Sequence, residues 1–180
     1  WAKEVEDYQR FGVIVTDDQL AMTRIVEKPQ EPVSKLANIG LYYIRDQKLL
    51  FEGIDHTLAL PPGASGEFYL TDAFQYMVDQ GSRILTAPVQ GWYDCGKPET
   101  LLDTNEHLLR TGRGGVASRA LVEATVLTDP VRIEEGVVLQ GSTVGPNVTV
   151  EEGARILNSS VRNCIIGPGA VVEGSVLRDS

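Results

Sequence analysis

Two short runs hold the residues best suited to a charged ligand. In Glu27-Lys28-Pro29 an acid and a base stand side by side at the end of a strand-like segment. A lysine ammonium meets a phosphate as a point charge, and a carboxylate accepts hydrogen bonds from hydroxyl groups. As a surface ion pair the same two residues would be worth only ~0–1 kcal/mol. The second run is Gly91-Trp92-Tyr93-Asp94-Cys95-Gly96-Lys97-Pro98-Glu99. Asp94 follows an apolar stretch, Ala87 to Tyr93, and precedes a helix that Pro98 suits as an opening residue. A carboxylate at the C-terminal tip of a strand, ahead of a helix, stands where open α/β sheets place their ligands. A plain turn aspartate with glycine behind it fits the same spacing. Asp94 is a hard oxygen donor of the kind Mg²⁺ prefers, but one carboxylate holds that ion poorly and a second ligand must come from elsewhere. Gly12 and Gly40 fall in two strand-like segments predicted to be neighbours, where a missing side chain lets a ligand approach the backbone.

Other chemistries find little support. His56 lies in a loop-rich region and His107 on a polar helix face, and no Ser-His-Asp arrangement accompanies them. No Cys/His cluster has zinc spacing, and no glycine-rich loop is built to cradle a phosphate. The formal net charge is -9, with 16 Lys and Arg scattered among 25 Asp and Glu. Nucleic-acid binders need clustered cations, so a nucleic-acid partner is not expected. One or two local cations still suffice for a small anion. No apolar run approaches the ~20 residues of a membrane span, and no signal peptide is recognised. Cys95 and Cys164 read as free thiols of a cytoplasmic protein.

The elements that must position these residues come in two styles. Phe11 to Thr16 and Ala21 to Glu27 read as a β-hairpin turning at Asp17-Asp18-Gln19, and Pro29 ends it. Ala37 to Ile44 reads as a strand with Gly40 inside it. A short helix is expected over Asp46 to Phe51, ahead of the break at Leu60-Pro61-Pro62-Gly63. Thr71 is placed as the N-cap of a second helix, with Asp72 in its first turn and Gly81 after its end. Arg83 to Val89 is read as a further strand leading to Asp94. Leu101, Leu102, Leu108 and Leu109 give the helix after Pro98 one apolar face.

After Thr111-Gly112-Arg113-Gly114-Gly115 the rhythm changes. Apolar anchors fall at Ile133, Leu139, Val144, Val150, Ile156, Val161, Ile166, Val172 and Leu177, in steps of five or six residues, with glycines between them. Neither a helix nor a flat strand has that period. Three such steps close one coil of a parallel β-helix, in which each anchor stacks on the coil below.

Taken in order, these runs resemble the sugar-1-phosphate nucleotidylyltransferases. The resemblance is carried by Arg10 to Ile14, Ile25 to Pro29, Ala37 to Tyr42, Ser65 to Asp72, and Gly91 to Glu99, with the trailing hexapeptides similar to the left-handed β-helix of long members. The Gly96-Lys97-Pro98-Glu99 run and the β-helix look most like the long form of glucose-1-phosphate thymidylyltransferase, while the Gly66 to Asp72 run is also similar to uridylyltransferases acting on glucose or N-acetylglucosamine phosphates. The resemblance implies an α/β fold, the remaining half of a Rossmann-like nucleotidyltransferase domain, followed by a left-handed parallel β-helix. Residues 1–111 would be the sugar-binding half of the catalytic domain, 112–120 a linker and 121–180 the β-helix. Lys28 would hold the sugar phosphate, Glu27 a sugar hydroxyl, and Gly12 and Gly40 would line the sugar pocket. Asp94 would be one of two Mg²⁺ ligands, and Lys28 and Asp94 would carry catalysis. The reaction would be in-line attack of a sugar 1-phosphate, glucose 1-phosphate first, on the α-phosphorus of dTTP or UTP, with loss of pyrophosphate. Two anions must approach, which is why a lysine and a metal are needed.

The family's glycine-rich NTP-binding segment and its other metal aspartate have no match in these residues. The chain is therefore expected to be a piece of a longer protein, inactive alone, with sheet edge and core left exposed. A homo-oligomer through the β-helix or that edge is expected. A hexapeptide-repeat acyltransferase is the alternative, though no histidine follows His107 to act as its base. A non-catalytic oligomerisation or regulatory module is the other.

Overall fold

The computed structural model describes residues 1–63 and 66–180, which form two compact units, Trp1–Trp92 and Tyr93–Ser180. Ser65, the first residue of one of the runs above, lies outside the described residues.

The first unit is an antiparallel sheet with two helices. Its strands are β1 (Ala2–Glu4), β2 (Gly12–Thr16), β3 (Met22–Glu27) and β4 (Leu36–Asn38), in the order β1-β4-β2-β3. The hairpin of β2 and β3 forms as its β-branched residues and turn predict. Asp17 closes it, its Oδ1 accepting the backbone N–H groups of Gln19 and Ala21 at 2.9 Å each. Helices α1 (Gln47–Ala59) and α2 (Leu70–Asp79) pack on each other, and α2 on β3. Ile14, Met22, Ile25, Phe74 and Met77 form the core between sheet and helices.

Four expectations for this unit need correction. Helix α1 continues past Phe51 to Ala59, capped at its start by Asp46, whose Oδ1 accepts the Leu49 N–H at 3.1 Å. Helix α2 begins at Leu70, so Thr71 is a first-turn residue whose hydroxyl is engaged elsewhere, not the N-cap. Strand β4 stops at Asn38, because Asn38 turns its Oδ1 back to accept the Gly40 N–H at 3.1 Å and Gly40 takes φ +79°. Gly40 thus lies in a turn beyond the strand. Finally, Arg83 to Val89 makes isolated bridges instead of a strand. Met22 donates its N–H to Ile84 O at 2.7 Å, Ala2 to Ala87 O at 3.0 Å, and Val89 to Ala2 O at 3.2 Å. Pro88 sits inside this segment with no N–H to give a ladder. The segment engages β1 and β3, the two edge strands, so the edge is less open than expected. Asp94 consequently does not follow a strand.

In the second unit, helix α3 (Pro98–Leu108) packs on a parallel β-solenoid. Leu102 and Leu109 are buried, whereas Leu101 and Leu108 stay 43% and 46% exposed, so the apolar stripe is narrower than four leucines. Asn105 fixes the helix to the solenoid: its Oδ1 accepts the Thr149 hydroxyl at 2.6 Å and its Nδ2 donates to Asn147 O at 3.4 Å. Residues 93–111, which the sequence groups with the preceding domain, therefore pack with the solenoid. The solenoid also begins inside the expected linker.

Its strands are β5 (Gly115–Val116), β6 (Leu121–Glu123), β7 (Val126–Leu127), β8 (Val131–Ile133), β9 (Val138–Gln140) and β10 (Thr143–Val144). They continue as β11 (Val148–Val150), β12 (Arg155–Leu157), β13 (Ser160–Arg162), β14 (Cys164–Ile166), β15 (Val171–Glu173) and β16 (Val176–Arg178). They form three sheets of four strands each, every neighbour parallel. Val131, Val148 and Cys164 pair in turn, so one coil takes 17 residues and the next 16.

The nine anchors fall into three columns: Ile133–Val150–Ile166, Leu139–Ile156–Val172 and Val144–Val161–Leu177. Each column buries β-branched or leucine side chains on the coil below, which is what lets such short strands hold together. Val116, Val122 and Leu127 begin the columns one coil earlier than the anchors read from the sequence.

Candidate functional site

The ladder of the first hairpin decides which side chains meet. Gly12 on β2 lies directly opposite Glu27 on β3. Strand β4 pairs with β2 through Ala37 and Val13, which brings Asn38 beside Gly12. The first turn of α2 adds Thr71, whose hydroxyl donates to Glu27 Oε2 at 3.1 Å. A Cβ built on Gly12 would stand 2.8 Å from Glu27 Oε2 and 2.8 Å from Thr71 Cγ2. The space above Gly12 is therefore taken by the Glu27 carboxylate and the Thr71 methyl group. Glycine here lets two side chains cross the strand; it does not open the backbone to a ligand. At Gly40 a Cβ would meet nothing within 4 Å, and only the positive φ calls for glycine.

Asn38 continues the polar cluster, its Nδ2 donating to Tyr42 Oη at 2.5 Å. The Tyr42 ring packs at 4.7 Å from that of Phe74, and burial raises its phenol pKa above the ordinary 10.0. The nearby Glu27 charge adds to that rise, while the Asn38 hydrogen bond opposes it. Asn38 and Tyr42 also border a groove of about 680 Å³ floored by Ile14, Ile25, Phe74 and Met77. An apolar floor with a few polar groups at its rim is the usual make-up of a small-molecule site. Desolvation pushes the Asp72 carboxyl above its usual range, even though its place in the first turn of α2 favours the anion.

Lys28 stands next to Glu27 and faces other partners. Its φ is +43°, uncommon for a residue with a side chain. Its N–H still donates to Phe11 O at 3.0 Å, and Pro29 behind it is buried, so the backbone is pinned on both sides. Lys28 Nζ lies 3.6 Å from Glu67 Oε2 and 5.3 Å from the centre of the Tyr69 ring.

Gly12, Glu27 and Lys28 are thus drawn together, with Gly40 one turn beyond Asn38. Asp94 belongs to the second unit, where both its neighbours are anchored to α3. The Tyr93 ring stacks on His107 at 4.1 Å with its hydroxyl 2.8 Å from Nδ1, and Cys95 Sγ lies 3.5 Å from Thr104 Oγ1. The Asp94 carboxylate lies over Gly96, its two oxygens 3.2 and 3.3 Å from where a Cβ on that glycine would stand. Both cysteines are free thiols, Cys95 exposed and Cys164 buried.

The sequence did not single out Asn38, Tyr42, Glu67, Tyr69 or the role of Thr71. All lie inside runs already noted, but nothing in their spacing marks them, because each acts across the fold.

A family described as nucleotidyl transferase matches residues 1–111. The chain belongs to the nucleotidyl transferase family. It is 37% identical over 129 residues to the low-salt glycan biosynthesis nucleotidyltransferase Agl11 of Haloferax volcanii, a match covering 69% of this chain and 35% of that protein. It is 31% identical over 177 residues to a glucose-1-phosphate thymidylyltransferase of Streptomyces antibioticus, covering 98% of this chain and 42% of the relative. It is 28% identical over 205 residues to a glucose-1-phosphate adenylyltransferase of Bacillus cytotoxicus, covering 96% of this chain and 54% of the relative. This nucleotidyl transferase chain spans between about a third and about half of the length of these relatives. Among its described residues no group of three His, Cys, Asp or Glu side chains could hold a metal ion. Asp94 is a single carboxylate, which does not amount to a Mg²⁺ site. No helix among the described residues is long and apolar enough to cross a membrane.

Proposed function

We propose that this chain supplies the sugar-phosphate side of a sugar-1-phosphate nucleotidyltransferase, with glucose 1-phosphate as the sugar and dTTP or UTP as the nucleotide. The observation that carries the reading is the convergence of Glu27, Thr71 and Asn38 around the Gly12 crossing, with Lys28 next to Glu27 in the chain. Glu27 keeps one carboxylate oxygen on Thr71 and offers the other to a sugar hydroxyl. Lys28, beside it, meets the phosphate charge, and the groove beneath Asn38 and Tyr42 takes the sugar ring. Gly40 shapes the pocket through the turn it permits, bringing Tyr42 to Asn38. Two relatives are named for glucose-1-phosphate transfer, one of thymidylyl and one of adenylyl groups, so ATP is the competing nucleotide to test.

Mg²⁺ would act by neutralising phosphate charge as the two anions approach. Asp94 would contribute one oxygen, and other ligands would have to come from outside the described residues. Lys28 and Asp94 are the proposed catalytic pair. Because the relatives are longer than this chain, we propose that the 180 residues alone bind sugar phosphate but form no nucleotide sugar. Cytoplasmic location and a homo-oligomer through the solenoid complete the proposal. Val126, Val171 and Val176, exposed at 62%, 63% and 68% on its strands, support the latter.

The test is titration of the chain with glucose 1-phosphate, followed by calorimetry. Binding that Lys28→Ala and Glu27→Gln each weaken about tenfold or more is expected. Binding indifferent to both substitutions sinks the reading, and nucleotide sugar formed by the chain alone sinks the claim of silence.

A further inference from the structure

Lys28 already has an anionic neighbour that the proposed reaction does not use. We propose that Glu67 is an internal counter-anion for Lys28, a positioning residue that occupies the ammonium until a phosphoryl group of the ligand replaces it. The inference rests on the reading of Lys28 as the phosphate-holding group.

Three observations support it. Glu27 and Lys28 are adjacent in sequence yet reach to different points, Glu27 to Thr71 in the first turn of α2 and Lys28 to Glu67 and Tyr69 just before that helix. The Lys28 backbone is held at φ +43° between a ladder hydrogen bond and a buried proline. A backbone so fixed sets where the flexible side chain starts, and the ammonium at its end meets a carboxylate and a ring face. Finally, the contact is loose. At 3.6 Å it is longer than a charge-assisted hydrogen bond of about 2.7–2.9 Å. The two side chains are also 48% and 59% exposed. A loose, hydrated ion pair holds the ammonium in place at small cost and yields to a doubly charged phosphate, which offers shorter bonds. The Tyr69 face remains attractive to the ammonium with or without ligand, and keeps it from swinging away when Glu67 is released.

The experiment is a titration of the 180-residue chain with glucose 1-phosphate at low and at high salt. Glu67→Gln should bind about three- to fivefold more tightly than the wild type at low salt. The gain should shrink at high salt, because the competing charge is screened. In the Lys28→Ala background the same substitution should give no gain, since the cation for which the two anions compete is gone. Glu52→Gln removes an equal charge from α1, where Glu52 pairs with Lys48 at 3.7 Å, and should leave affinity unchanged. Thermal midpoints of Glu67→Gln and wild type should agree, separating the effect from folding. Equal or weaker binding by Glu67→Gln, while Lys28→Ala still weakens binding, overturns the inference and leaves the proposed function standing. An equal gain from Glu52→Gln also overturns it, because bulk charge would then be the cause. Loss of any Lys28-dependent binding in both wild type and Glu67→Gln overturns inference and function together.

Discussion

At the scale of single residues, the candidate site depends on what glycine omits. With the Glu27 carboxylate and the Thr71 methyl crossing the strand at Gly12, the Cβ of alanine would stand 2.8 Å from both. Gly12→Ala should lower stability by about 1–3 kcal/mol in urea unfolding and weaken glucose 1-phosphate binding. Adding Thr71→Ser, which removes the methyl and keeps the hydroxyl, should recover part of both losses. Tyr42 carries a pH dependence. Burial holds its phenol above 10.0, so the folded state retains this proton longer than the unfolded chain does. The stability it contributes is complete below 10.0 and is lost as pH rises through the folded value. Urea unfolding of Tyr42→Phe should accordingly show a shallower alkaline decline than the wild type, with little difference near neutrality.

The elements are held by devices that repeat. In the solenoid a column of hydroxyl groups follows one corner. Thr125 Oγ1 accepts the Ser142 N–H at 3.2 Å, Ser142 Oγ the Ser159 N–H at 3.1 Å, and Ser159 Oγ the Ser175 N–H at 3.1 Å. Each serine also donates to a carbonyl two residues back, such as Ser159 to Leu157 O at 2.7 Å. Ser159→Ala leaves a part-buried N–H without its acceptor and should cost about 1–3 kcal/mol in chemical denaturation. Gly145 is stricter, because a Cβ there would run into the Thr128 carbonyl of the preceding coil while φ stands at +110°. Gly145→Ala should cost about 3 kcal/mol or more and exceed the loss at Ser159 in the same assay.

For the molecule as a whole, the packing of α3 shifts the structural boundary toward the first unit. Residues 93–180 should fold cooperatively when expressed alone, as followed by circular dichroism during thermal unfolding. Residues 112–180 lack the buried Leu102 and Leu109, and Asn105, which bonds to Thr149 and Asn147. That shorter piece should melt at a clearly lower temperature. Within 93–180, Leu102→Ala should lower stability by about 2–4 kcal/mol. Equal melting of the two pieces would show that α3 adds nothing to the solenoid.

What could be read without coordinates was whatever repeats locally. The nine anchors of the solenoid and the hairpin of β2 and β3 follow from side-chain alternation, coil period and turn chemistry, which neighbouring residues decide among themselves. The contacts that make the candidate site were not readable in this way. Thr71 reaches Glu27 across 44 residues, Lys28 meets Glu67 through a connection with no periodic signal, and Arg83 to Val89 became a set of bridges to β1 and β3 instead of a strand. Spacing along the chain carries no information about which distant backbone a loop will meet. That depends on how the whole sheet and its helices bury their apolar faces, and only the tertiary structure decides it.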